Sequence, residues 1–311
     1  MVKVYLLLLA GILLLFASGK YLVESSVAIS RLLRIPRMII GLTVVAFGTS
    51  APELLVSLQA AVSGFPEMAM GNVVGSNISN ILMVLAITAI IFPIPVPSTS
   101  VKRDWPIMMF VSILLFVFTM NGWLTRLEGL VFILLLIVYL GYAVILARRT
   151  EKEKEFSKEQ GSMQWWVAAL IFLVSCVGLA FGANLLVNNA AIIAEDVGIS
   201  KRVIAITMVA VGTSIPEVAT TVIAAMKKET DISVGNIIGS NIMNVLSVLG
   251  VTSIIGPIQV SDEIARFDIP WMLATSVLLL MLMLPAARSR ITRWEGIFMI
   301  LIYLLYIYLI F

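Results

Sequence analysis

The sequence predicts an all-α integral membrane protein: ten transmembrane helices built as two inverted five-helix repeats. Three observations predict it. Of the 311 residues 60% are hydrophobic and 13% charged, with a mean hydropathy of +1.07, which is more apolar surface than one soluble core can bury. GTSAPE at 48–53 returns 164 residues later as GTSIPE at 212–217, and GNVVGSNISNILMVLAIT at 71–88 returns at the same offset as GNIIGSNIMNVLSVLGVT at 235–252. A single mixed-charge run separates five apolar spans from five more, and because five is odd the second copy enters the membrane in the opposite sense.

In chain order, the first span, 2–29, is too long for a signal-peptide core and has no small-residue cleavage site followed by a soluble domain, so it is expected to stay as a helix. Spans 38–62, 68–91, 105–120 and 129–147 complete a first repeat at 1–147. The run RRTEKEKEFSKEQ at 148–160 has no apolar periodicity and reads as a solvated linker, assigned to 148–163. Spans 165–194, 203–226, 232–255, 269–284 and 296–311 form the second repeat at 164–311. Most reach the roughly 20 residues that a crossing helix needs, with the fourth, ninth and tenth near the short limit. Asp104 and Pro106 match Asp268 and Pro270, and Arg126 with Glu128 and Gly129 matches Arg293 with Glu295 and Gly296 after a three-residue slip. Both matches read as helix ends of shared ancestry.

The net charge of +3 does not indicate nucleic acid, because Lys and Arg sit in short turns and form no patch. They report topology instead. With the N-terminus outside, inward turns hold fifteen of them and outward turns five, with Lys20 inside a span. That bias predicts a multi-pass plasma-membrane protein with extracellular termini and a cytoplasmic linker. Lys20 and Glu24, one turn apart, are expected to form a local ion pair near the inner interface, with the lysine snorkelling. The absence of histidine removes His-based zinc sites, general bases and proton relays. Cys176 stands alone in an apolar span and reads as a small buried hydrophobe. No cofactor and no obligate protein partner are expected; the lipid bilayer is.

Each repeated motif places a carboxylate, Glu53 or Glu217, inside an apolar span, at a cost of at least about 2.5 to 3.5 kcal/mol. Spans two, three, seven and eight contain no Lys, Arg or His, so the offsetting charge must be a cation from solution or a proton. Pro52 and Pro216 lack the N–H that would bond the carbonyls of Gly48 and Gly212. The carbonyls of Ala46 and Ala210 are expected to tilt free at the same kinks, and matched helix breaks in two halves point to a binding site. Thr49, Ser50, Thr213 and Ser214 add hydroxyls. Asn72, Ser76 and Asn80 recur every fourth residue, as do Asn236, Ser240 and Asn244, so each set stripes one helical face. Asn77 and Asn241 lie off the stripes and are expected to bond helices together. Gly71, Gly75, Gly235 and Gly239 should permit close helix approach. Oxygen donors without nitrogen or thiolate suit hard cations, either one Ca²⁺ or more than one Na⁺.

The paired GTSxPE and GNxxGSN elements in two inverted halves resemble the alpha repeats of the calcium/cation antiporter superfamily, most closely its prokaryotic sodium/calcium exchangers. The resemblance spans essentially the whole chain. It implies antiport of Ca²⁺ against Na⁺ by alternating access, with Glu53 and Glu217 as central shared ligands and Asn80 at the centre. It further implies flanking sodium sites from Thr49, Ser50, Thr213, Ser214, Ser76, Ser240 and the carbonyls of Ala46 and Ala210. Where the second repeat of that family often has an aspartate, this chain has Asn244, which can still ligate through its amide oxygen. The short linker lacks the large calcium-sensing insertion of animal exchangers.

Proton-coupled and potassium-dependent calcium exchange stay open. Proton-coupled relatives tend to carry an acid in the GNxx stretch, where this chain has Gly75 and Gly239. A passive cation channel would use the same oxygens. An intramembrane enzyme lacks support, for there is no aspartate dyad and no base beside the hydroxyls other than the glutamates.

Overall fold

A computed structural model describes residues 2–151, 163–196, 212–284 and 290–310. The described chain is helical, apart from turns and four two-residue strands. Helices α1 (Val2–Leu33), α2 (Arg37–Thr49), α3 (Ala51–Val62) and α4 (Glu67–Ile91) are followed by α5 (Trp105–Thr119) and α6 (Arg126–Glu151). Then come α7 (Trp165–Asp196), α8 (Ile215–Met226), α9 (Thr230–Ile255), α10 (Ile264–Met283) and α11 (Arg293–Ile310). Seven of these are long and apolar enough to cross a membrane, or eight when α2 and α3 are taken as one span bent by 42°.

Capping explains several boundaries. Thr125 and Glu128 form a capping box at the start of α6: the Glu128 carboxylate accepts from the Thr125 N–H at 2.6 Å and from its hydroxyl at 2.8 Å. Thr292 and Glu295 repeat the same two distances ahead of α11. The other outer match diverges in its partners. Asp104 pairs with Arg103, whereas Asp268 accepts from the Tyr306 hydroxyl at 2.8 Å.

Burial orders the helices into a centre and a periphery. The spanning window of α4 is 78% buried and that of α9 is 89% buried, against 22% for α1, α6 and α11. Outer helices therefore keep large apolar side chains exposed, among them Leu127, Val138, Leu173 and Leu301. That distribution suits lipid as solvent. The polar GNxxGSN helices occupy the core and the most apolar helices surround them.

Close helix approach is seen where small residues permit it. A Cβ on Gly239 would lie 2.5 Å from the Leu42 carbonyl oxygen, and one on Gly235 would lie 2.8 Å from that of Met38, so α9 rests directly on the backbone of α2. For Gly71 and Gly75 the segment equivalent to that part of α2 lies within 197–211, outside the described residues, so their close approach is not described; among the described residues only Ile264, at 3.9 Å, comes within 4 Å of a Cβ at Gly71 and nothing does at Gly75.

Short contacts tie the two halves together at both ends. Ile94–Pro95 (β1) pairs antiparallel with Arg290–Ile291 (β4), and Trp123–Leu124 (β2) pairs with Ile258–Gln259 (β3). Arg37 pairs with Glu229, and Lys227 with Glu24. The local Lys20–Glu24 pair expected from sequence is replaced: Glu24 turns to Lys227, which α8 delivers beside α1, and Lys20 lies over the Tyr21 ring.

Candidate functional site

Both halves break a helix at the same point of the repeated motif. Ser50 ends α2 with φ −83° and ψ 3°, and Ser214 precedes α8 with φ −85° and ψ −1°. Each break restarts a helix with proline in its first positions, where a missing N–H costs nothing, and puts Glu53 or Glu217 in the new first turn. Free N–H groups and the positive end of the helix dipole then face a carboxylate, worth at most about 2 kcal/mol. That is less than the cost of burying the charge. Both glutamates are 0% exposed and repel one another.

Among the described residues Glu53 Oε1 and Oε2 and Glu217 Oε2 make no hydrogen bond, while the Thr49 and Ser240 hydroxyls lie beside the Glu217 carboxylate and its Oε1 has the Ser50 hydroxyl at 3.5 Å. Ser50 precedes Glu53 by one turn, so this contact sets the two acids against each other across the halves. Asn80 Oδ1 and Asn244 Oδ1 are likewise buried and unpaired. Both asparagines begin a wide π-type turn, Asn80–Leu85 and Asn244–Leu249, a distortion that often accompanies function. Buried polar atoms in native proteins are normally satisfied. Four such side chains, two from each repeat, are left open among the described residues. Among the described residues no three of His, Cys, Asp or Glu converge, so the remaining donors are neutral oxygens, as hard cations accept.

The hydroxyls pair across the halves in matching fashion. Thr49 Oγ1 lies 3.1 Å from Asn236 Oδ1 and 3.3 Å from Ser240 Oγ. Thr213 Oγ1 lies 3.4 Å from Asn72 Oδ1 and 3.2 Å from Ser76 Oγ. Ser214 departs from the symmetry: its hydroxyl meets Ser79 at 2.6 Å, where the second repeat has Met243 and offers nothing to Ser50. Asn77 and Asn241 do bond α4 to α9, through the Asn77 Nδ2 donation to the Asn241 carbonyl at 3.2 Å.

One expected oxygen stays bonded. The Ala46 carbonyl accepts the Ser50 N–H at 2.9 Å, with the Thr49 hydroxyl 3.3 Å away. The kink frees no acceptor there, since the N–H that Pro52 lacks is the one owed to the Gly48 carbonyl, half a turn further on. Ala210 lies outside the described residues. Sequence reasoning passed over Ser57 and Thr221, which receive the Asn72 and Asn236 amides at 3.0 and 3.1 Å and so brace the helices that carry the glutamates. Their signal was available: both are small hydroxyl residues four positions after a motif glutamate, at the repeat offset. Cys176 is partly buried against Gly48.

Known proteins resemble this chain over its whole length. The family model described as "Sodium/calcium exchanger protein" matches residues 3–145 and 167–311. The putative antiporter CaxA of Alkalimonas amylolytica is 38% identical over 309 residues, 97% of either chain. The sodium/calcium exchanger MaX1 of Methanosarcina acetivorans is 33% identical, spanning 99% of this chain and 98% of its own. Among solved structures, the sodium-calcium exchanger NCX_Mj superposes with a TM-score of 0.83 at 31% identity, covering 99% of this chain and 98% of that one.

Proposed function

The chain belongs to the sodium/calcium exchanger protein family, and from that premise we propose that it exchanges Ca²⁺ for Na⁺ across the cell membrane by alternating access. One observation carries the ligand assignment: Glu53, Glu217, Asn80 and Asn244 each bury at least one oxygen that no described residue satisfies. Two acids in spans that hold no Lys, Arg or His bind a divalent cation or a set of monovalent ones, and the exchange follows when the two kinds of ion compete for the same charge. Thr49, Ser50, Ser76, Thr213, Ser214 and Ser240 supply flanking sodium ligands, together with the carbonyl of Ala210 and that of Ala46, which can accept a cation beside the helical N–H it already holds.

Ten crossings in two inverted repeats, 1–147 and 164–311 around a cytoplasmic linker, complete the reading, with both termini extracellular. The contacts between halves support it. Ile94 with Ile291, Trp123 with Gln259 and Arg37 with Glu229 each join turns that this scheme puts on one side of the membrane, and Lys227 in an inner turn meets Glu24 near the inner end of the first span. No cofactor or obligate partner protein enters the mechanism.

The test is calcium flux in proteoliposomes with Na⁺, K⁺ or H⁺ gradients imposed one at a time. A sodium gradient is expected to drive uptake, and Glu53→Gln or Glu217→Gln to abolish it in protein that still folds. Full transport by either variant would refute the assignment.

A further inference from the structure

A carboxamide has two unlike ends, and only its oxygen can ligate a cation. In both central asparagines the nitrogen end is taken by an asparagine from the opposite half. Asn80 Nδ2 donates to Asn241 Oδ1 at 3.0 Å, and Asn244 Nδ2 donates to Asn77 Oδ1 at 3.2 Å. The oxygens of Asn80 and Asn244 are what remains unpaired. The two outer amides are themselves held. Asn77 Nδ2 reaches the Asn241 carbonyl at 3.2 Å and Met272 Sδ at 3.7 Å, and Asn241 Nδ2 lies 3.6 Å from Met108 Sδ. All four side chains are at most 3% exposed, so bulk water does not replace a lost partner.

We propose that Asn77 and Asn241 are positioning residues for ion exchange: their side-chain oxygens hold the nitrogen ends of Asn244 and Asn80, so that both carboxamides present oxygen to the transported cation. This rests on the ligand roles given above to Asn80 and Asn244. Neither Asn77 nor Asn241 touches the ion. Turned over, each inner amide would aim a partly positive N–H₂ at a cation and subtract a ligand. The dependence is specific to an amide, because a carboxylate at the same place would show oxygen at either end and need no acceptor to orient it.

A double-mutant cycle on the full chain in proteoliposomes separates this role from a structural one. Asn77→Leu keeps the bulk and removes the acceptor. Its half-saturating Ca²⁺ concentration for sodium-driven uptake is expected to rise about tenfold, the scale of one buried hydrogen bond, with the maximal rate changed much less. In an Asn244→Asp background the same substitution should leave half-saturation where Asn244→Asp alone sets it. Asn77→Ser, whose hydroxyl is too short to reach, runs in parallel in case the leucine variant does not fold. Equal shifts in both backgrounds, or no shift in either, would overturn the proposal. Failure of the underlying reading has its own signature: the unmodified chain would take up no calcium under a sodium gradient, which sinks both.

Discussion

Gly239→Ala puts one methyl group into the closest contact between α9 and α2. The new Cβ would stand 2.5 Å from the Leu42 carbonyl oxygen, 2.7 Å from Leu42 Cα and 2.8 Å from Ala46 Cβ. Ordinary contact begins near 3.4 Å, and backbone cannot swing aside as a flexible side chain can, so the two helices must separate locally by about 0.9 Å. Overpacking of this kind costs about 1 to 3 kcal/mol. The functional cost is larger than the stability cost suggests, because the flanking residues of α9 hold the Thr49 hydroxyl. A retreat of that size stretches the 3.1 Å Thr49–Asn236 and 3.3 Å Thr49–Ser240 contacts beyond hydrogen-bond range.

The assay is sodium-driven calcium uptake as a function of external sodium, beside a thermal unfolding midpoint in detergent. The variant is expected to raise half-saturating Na⁺ several-fold and to lower the midpoint. Gly141→Ala serves as control, since nothing among the described residues lies within 4 Å of its Cβ and alanine is the better helix former by up to about 1 kcal/mol. Wild-type sodium dependence in Gly239→Ala, or equal loss in the control, would refute the reasoning that helix contact sets the hydroxyl geometry.

Two further outcomes follow from charge. Asn244→Asp adds a carboxylate to the cluster formed by Glu53 and Glu217; it should fold and shift calcium affinity or pH dependence, and kinetics identical to wild type would count against residue 244 lining the site. Glu24→Gln breaks an ion pair whose side chains are 42% and 30% exposed, so its cost should stay below about 1 kcal/mol and shrink further in high salt. A much larger drop in thermal midpoint would mean that the Lys227 contact is not the solvated pair its exposure implies.

Much of the architecture was legible because its causes are local or compositional. Hydropathy reports the solvent around a helix, and the constant offset between copies reports duplication. A buried glutamate in a span without Lys, Arg or His points to a cation or a proton from solution. The matched residues at 126–129 and 293–296 read as helix ends of shared ancestry, and the structure supplies the cause, a capping box from Thr125 to Glu128 and another from Thr292 to Glu295. The reading went astray where a partner comes from far along the chain. Spacing along one helix pairs Glu24 with Lys20, four residues away, whereas the fold gives it Lys227. Ala46 was expected to lose its helical bond and kept it, because a proline removes one particular N–H and not those of the turn before it.

By itself the sequence determined that this chain lives in a membrane, that it carries one chemical device twice, and that the device is built from oxygen around two uncompensated acids. Periodicity and burial cost suffice for that, since both act on a residue through its own helix. Only the tertiary structure decided which oxygens meet: Thr49 bonds Asn236 and Ser240 of the other half, Ser214 bonds Ser79, and the amides of Asn77 and Asn241 turn those of Asn244 and Asn80. Such pairings depend on the separation and register of helices packed from opposite halves, to which no pattern within a single helix is sensitive.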